Sequence, residues 1–304
     1  MICATCGTAN DPGTKFCENC GARLAAACSN CGSPLKDNTR FCGECGTPAA
    51  PGPATVGPAA MRTGEWEAGL EELNRVMERN LDPVDWGQAA GSAYSIQVFL
   101  GEPDEAIWGR LETFRALPPD DPGHLALLDA ESWQLLVAGE FKQAYETYMT
   151  LARNSALNAP DSLLMAAHCA IWLHDKVAAR EALDLLTANG QHGPVLDLGQ
   201  RAARAGLLGL DGRTAEALPE YREVLRAFRE RNLPLDEAVT AIDVLAVFGN
   251  EDPEGRKQAE RAREIFESLG GKGLLGMLRG FGGDLTLEAV ETDREAERSS
   301  VPAA

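Results

Sequence analysis

Eight of the nine cysteines fall in the first 45 residues, as four copies of Cys-x-x-Cys-Gly. The copies are Cys3/Cys6/Gly7, Cys17/Cys20/Gly21, Cys28/Cys31/Gly32 and Cys42/Cys45/Gly46, and a shift of 25 residues maps the first two onto the last two. Cys-x-x-Cys puts two sulfurs on one tight turn, and the following glycine can take positive φ and aim backbone N–H groups at sulfur. Knuckles separated by ten residues can face each other across a short hairpin and complete a four-thiolate metal site. Cys3, Cys6, Cys17 and Cys20 are therefore assigned to one ion, and Cys28, Cys31, Cys42 and Cys45 to a second. The expected ions are two structural Zn²⁺, which take four thiolates in a closed tetrahedron and keep no open position for substrate. The same ligand set would also suit rubredoxin-like iron. A dithiol redox centre is disfavoured, because that use sits at a helix start in a βαβ context.

The elements that must position these thiolates are small. Asn10-Asp11-Pro12-Gly13 and Lys36-Asp37-Asn38 supply turn residues between knuckles, and Phe16 and Phe41 each precede one. So little apolar material cannot hold a fold by burial alone. Metal must supply most of the folding free energy, about 10 kcal/mol or more per site. Lys15-Phe16-Cys17 and Arg40-Phe41-Cys42, with all eight cysteines and four glycines, resemble the double zinc ribbon family over residues 1–48. That resemblance implies structural ribbons with short β-hairpins beside a larger domain.

The remainder is acidic. Residues 1–50 hold four Lys/Arg and four Asp/Glu, so the formal charge of −18 lies in residues 51–304. Nucleic-acid binding depends on Lys/Arg neutralising phosphates, and this balance disfavours it. No basic and apolar leader precedes Cys3, and no stretch approaches the roughly 18 apolar residues of a membrane span. Clustered thiols without a secretion signal point to a reducing, cytoplasmic setting.

Residues 47–62 are rich in Pro, Ala and Gly and read as an extended linker. From residue 63 to 283 the chain reads as helices broken by short turns, with little support for strands. A short motif recurs at Gly64-Glu65-Trp66, Gly101-Glu102-Pro103, Gly139-Glu140-Phe141, His174-Asp175-Lys176 and Gly212-Arg213-Thr214, at intervals of 37, 38, 35 and 38 residues. A turn residue closes one helix, an acid opens most of the next, and a small residue five positions on lets helices approach. The motif resembles the start of the second helix in a tetratricopeptide repeat. Ala144/Tyr148/Leu151, Ala179/Leu183/Leu186 and Ala217/Tyr221/Val224 follow that family's apolar spacing, whereas Ala106/Arg110/Thr113 departs from it.

The expected fold class is thus mainly α, a superhelix of tetratricopeptide-like helical hairpins preceded by the zinc ribbons, with residues 284–304 as a charged tail. The resemblance implies a concave groove faced by Ser95, Trp133 and His168, with Val98, Leu136 and Ile171 one turn on. Gly91, Asp129, Leu164 and Ala202 stand where some members carry a basic or amide clamp for a terminal carboxylate, so the groove reads as mixed apolar and acidic. The five tryptophans and Cys169 read as packing residues, the four histidines form no site spacing, and Gly270-Gly271-Lys272-Gly273 reads as a flexible exit. The expectation is a non-enzymatic scaffold that binds a protein or peptide in the groove, with no small-molecule substrate. Ala217 to Gly270 is also similar to helical tails of bacterial signalling cyclases and ATPases, which implies, as an alternative, a regulatory module without its catalytic domain.

Overall fold

The computed structural model describes residue 44 and residues 53–78 and 81–281. The eight clustered cysteines, the β-hairpins expected around them and the tail from 284 lie outside the described residues. Thirteen α-helices follow one another: α1 (Pro53–Thr63), α2 (Trp66–Met77), α3 (Pro83–Leu100), α4 (Glu105–Glu112), α5 (Pro122–Val137), α6 (Phe141–Asn154), α7 (Ala159–Trp172), α8 (Lys176–Asn189), α9 (Pro194–Leu210), α10 (Thr214–Glu230), α11 (Pro234–Phe248), α12 (Pro253–Ser268) and α13 (Lys272–Arg279). Among the described residues there is no strand. The helices pack as successive hairpins, and each of the five motif copies opens the second helix of a pair.

The turn between the helices of a pair has one recurring cause. Gly101, Gly139, Gly212 and Gly249 adopt φ of 76°, 80°, 78° and 79°, and His174 adopts 56° where the others have glycine. At Gly139 the N–H donates to the Leu136 carbonyl and the next N–H, of Glu140, reaches back to Leu135. The same pair of bonds recurs at Gly101, His174 and Gly212, satisfying carbonyls that a helix end leaves free. His174 adds a tie of its own, its Nε2–H donating to the Ala246 carbonyl at 2.7 Å. Aspartates then open many helices: Asp82, Asp104, Asp175 and Asp252 each accept from two backbone N–H groups of the following turn.

Packing follows the pattern of the second helices. Ala144, Tyr148 and Leu151, and likewise Ala217, Tyr221 and Val224, are at most 1% exposed. Each fully buried Leu or Val contributes about 1.5–3 kcal/mol. In the departing copy Ala106 is exposed, and α4 gives way after Glu112 to a 3₁₀ turn at Thr113–Ala116. There the packing is aromatic instead, with Trp108 stacked on Tyr94 at 4.9 Å. The first helices are enclosed more completely, α7 and α11 being buried around most of their circumference.

Two segments differ from the sequence expectation. Residues 53–62 are not an extended spacer: they form α1, which packs on α2, α3 and α11 and buries Ala60 and Met61. Pro58 lies inside this helix and removes one backbone donor. Tertiary contact outweighs that loss. A Cβ on Gly57 would lie 2.1 Å from the Ser92 Cβ, so the Gly/Ala-rich composition permits close approach to α3. Trp66 Nε1 also donates to the Met61 carbonyl at 3.0 Å, fixing the end of α1 to the start of α2. Second, Gly270–Gly273 is not a loose exit. It leads into α13, which returns to pack on α3 and α5. A Cβ on Gly273 would sit 2.1 Å from the Val98 carbonyl oxygen, and Lys272 pairs with Glu102 at 2.7 Å. The end of the described chain therefore packs on the second and third hairpins.

The turn account yields a matched pair of outcomes. Gly139→Ala is expected to cost about 1–2 kcal/mol in urea unfolding, because a left-handed backbone penalises any Cβ. Nothing lies within 4 Å of the added methyl, so packing contributes no part of that cost. Gly109→Ala, in equally open space but inside α4, is expected to stabilise by roughly 0.5–1 kcal/mol.

Candidate functional site

Side chains one and two turns apart on a helix share a face, and α7 and α11 use this to build two facing stripes. Asp161, Leu164, Met165 and His168 run along α7, opposite Asp236, Val239, Thr240 and Asp243 on α11. At one end Arg62, from α1, places Nη2 at 2.5 Å from Asp161 and Nη1 at 2.6 Å from Asp236. Arg62 is only 15% exposed, and the guanidinium stays charged: burial works against it, but Asp236 and Asp161 outweigh that and raise its pKa. At the other end His168 Nδ1–H donates to both oxygens of Asp243 at 2.9 Å, and Trp172 Nε1 donates to the same carboxylate at 2.7 Å. Burial pushes Asp243 upward, while His168 and Trp172 oppose that. The carboxylate partner fixes the orientation of the ring.

Between these two ties lies a cavity of about 410 Å³. Trp133, Tyr148, Leu164, Met165, Phe228 and Val239 give it apolar walls, and α1 closes part of it with Pro58, Met61 and Arg62. Asp129, one turn before Trp133 on α5, projects a carboxyl onto the same space. It has no hydrogen-bond partner among the described residues. Enclosure by protein, with Asp161 as a second cause, pushes it up to about 7. Two further polar atoms are buried there without partners, the Tyr148 hydroxyl and Asp236 Oδ2.

The sequence-predicted groove residues divide. Trp133 and His168 line the cavity, as do Gly91, Asp129 and Leu164 from the clamp positions. Ala202 is fully buried, and Gly199 one turn earlier faces the cavity in its place. Ser95 turns away, its hydroxyl donating to the Gly91 carbonyl at 3.0 Å, and Val98, Leu136 and Ile171 belong to the core. Cys169 is 0% exposed and burial pushes its thiol up, which keeps it protonated and unreactive. His168, read as facing the groove but in no site spacing with an acid, is joined to Asp243 across 75 positions, a pairing that local spacing does not encode. Arg62, Asp161 and Asp236 were equally illegible, since their meeting depends on α1 being a helix.

Among the described residues no three His, Cys, Asp or Glu side chains come together to hold a metal ion. No described helix is long and apolar enough to cross a membrane. The double zinc ribbon family model matches residues 3–46, a span that contains all eight clustered cysteines. No curated protein and no solved structure matches the chain.

Asp129 makes a pH-dependent prediction. Its folded pKa of about 7 lies above the unfolded value of about 3.9, so the native state holds the extra proton. Stability contributed by this group is complete below about pH 4 and is lost as pH rises towards 7. Asp129→Asn is therefore expected to stabilise the protein by roughly 1–3 kcal/mol at pH 8 and by little at pH 4. Paired urea titrations of the two proteins read the difference; an equal effect at both pH values contradicts the assignment.

Proposed function

We propose that the chain is a non-enzymatic, zinc-binding interaction protein of the cytoplasm, whose helical repeats receive a partner segment on their inner face. The observation that carries this reading is the seat of α1. The inner face already holds a helix, by an arginine set between Asp161 and Asp236 with Met61 buried beside it. A partner that presents a basic residue on an apolar face would find the same complement when it takes the place of α1. The acids lining the cavity disfavour an acidic segment there. The resemblance to tetratricopeptide repeats supports the same role, because stacked helical pairs present concave binding surfaces.

The cysteine pattern fits zinc through the chemistry of the donors: two sets of four thiolates, each completed within its own half of the duplication. Cys3, Cys6, Cys17 and Cys20 would hold one ion and Cys28, Cys31, Cys42 and Cys45 the other. Bound zinc would supply folding free energy to the ribbons, with no position left for a substrate. Elemental analysis is expected to find about two zinc per chain, one for each set of four thiolates.

The partner reading is tested with the full-length zinc-loaded protein and helical peptides that differ only in carrying Arg, Gln or Glu at one central position. Preferential capture of the Arg peptide, weakened in Asp236→Asn, supports it. Equal capture of all three, or capture of none, contradicts it.

A further inference from the structure

The charged groups around the cavity do not balance. Arg62 is held between Asp161 and Asp236. His168 is paired through Nδ1 with Asp243. Asp236 Oδ2 is buried without a donor, and the half-buried Asp129 carboxyl has no hydrogen-bond or ion-pair partner among the described residues. The Tyr148 hydroxyl is the counterpart, a buried group with no partner in a residue 1% exposed. Three carboxyls, Asp129, Asp161 and Asp236, thus share the cavity wall with one guanidinium, and the unpaired Tyr148 hydroxyl and Asp236 Oδ2 each cost about 1–3 kcal/mol. An anion would add repulsion, and a neutral molecule would leave Asp129 without a counter-charge. The acids are also spread around the walls and do not converge as metal ligands do.

We propose that this cavity binds a small organic cation, an ammonium or guanidinium on an apolar or aromatic body, with its charge against Asp129 and its body along the apolar wall that includes Trp133, Leu164 and Met165. The cation supplies the missing counter-charge. The apolar walls supply area for its body. A volume of about 410 Å³ falls within the roughly 300–1,000 Å³ of small-ligand pockets. With α1 in place the space is closed on that side, which suits a free small molecule and not an extended peptide. The inference goes beyond the partner reading and does not depend on α1 being displaced.

The test is isothermal titration of the full-length, zinc-loaded protein with 2-phenylethylamine and agmatine, beside the neutral 2-phenylethanol. Both amines are expected to bind, and the alcohol to bind about tenfold more weakly or worse. Asp129→Asn keeps the shape of the side chain and is expected to weaken the amines about tenfold or more. Asp129→Ala is a second variant that must show the same loss, and Asp211→Asn, on a distant turn, must leave binding unchanged. The proposal is overturned if neither amine binds the wild-type protein, if the alcohol matches the amines, or if both Asp129 variants bind the amines as the wild type does. Failure here with selective capture of Arg peptides would leave the partner reading standing, and the reverse result would leave this one.

Discussion

A single guanidinium holds the inside of this protein in its present form. Arg62 reaches from α1 to Asp161 on α7 and Asp236 on α11, so three segments 99 and 174 positions from Arg62 or at it meet at one charge. Without the arginine, two carboxylates would face each other in a partly desolvated space, and removal of one partner from a buried pair costs about 3–5 kcal/mol. Asp161 is 39% exposed, which places the cost below that range. The pair also determines what the inner face can accept. With Arg62 in place, Asp161 and Asp236 share a counter-charge, whereas Asp129 has none among the described residues.

The scaffold behind this interaction is built by repetition. A left-handed residue recurs at each tight reversal, a second helix buries one face, and a first helix is enclosed by its neighbours. His174 shows how far the pattern tolerates substitution: a side chain occupies the left-handed position and its ring is used to reach Ala246 on the end of α11. α13 returns onto α3 of the second hairpin, while α1 of the first hairpin packs on α11 of the last.

Much of the helical architecture was legible in the sequence, because turns and apolar spacing are local properties. Gly101, Gly139 and Gly212 could be read as reversals, and Tyr148, Leu183 and Tyr221 as core positions. The same spacing marked Ala106/Arg110/Thr113 as irregular, and α4 is indeed short and gives way to a 3₁₀ turn. Where legibility failed, the deciding contacts were distant. Residues 53–62 have the composition of a spacer, yet small residues also let α1 lie against Ser92 and Gly69. Gly271 and Gly273 read as flexible, whereas close contact with Trp66 and Val98 explains them. At the site, Trp133, His168 and Asp129 were visible through the repeat register. Arg62, Asp236 and Asp243 were not, because an ion pair across 75 or 174 positions leaves no periodic trace.

The central claim is that α1 is a seated helix and that Arg62 seats it. Amide hydrogen exchange on the full-length, zinc-loaded chain tests this most directly, by comparing α1 with α2 and α7 in the wild type and in Arg62→Gln. The account predicts that wild-type amides at the C-terminal end of α1 exchange as slowly as those of α2. It predicts that Arg62→Gln accelerates them while α7 and α9 keep their protection. Exchange of α1 at the rate of a free peptide in the wild type, or no change on removing the guanidinium, would contradict it.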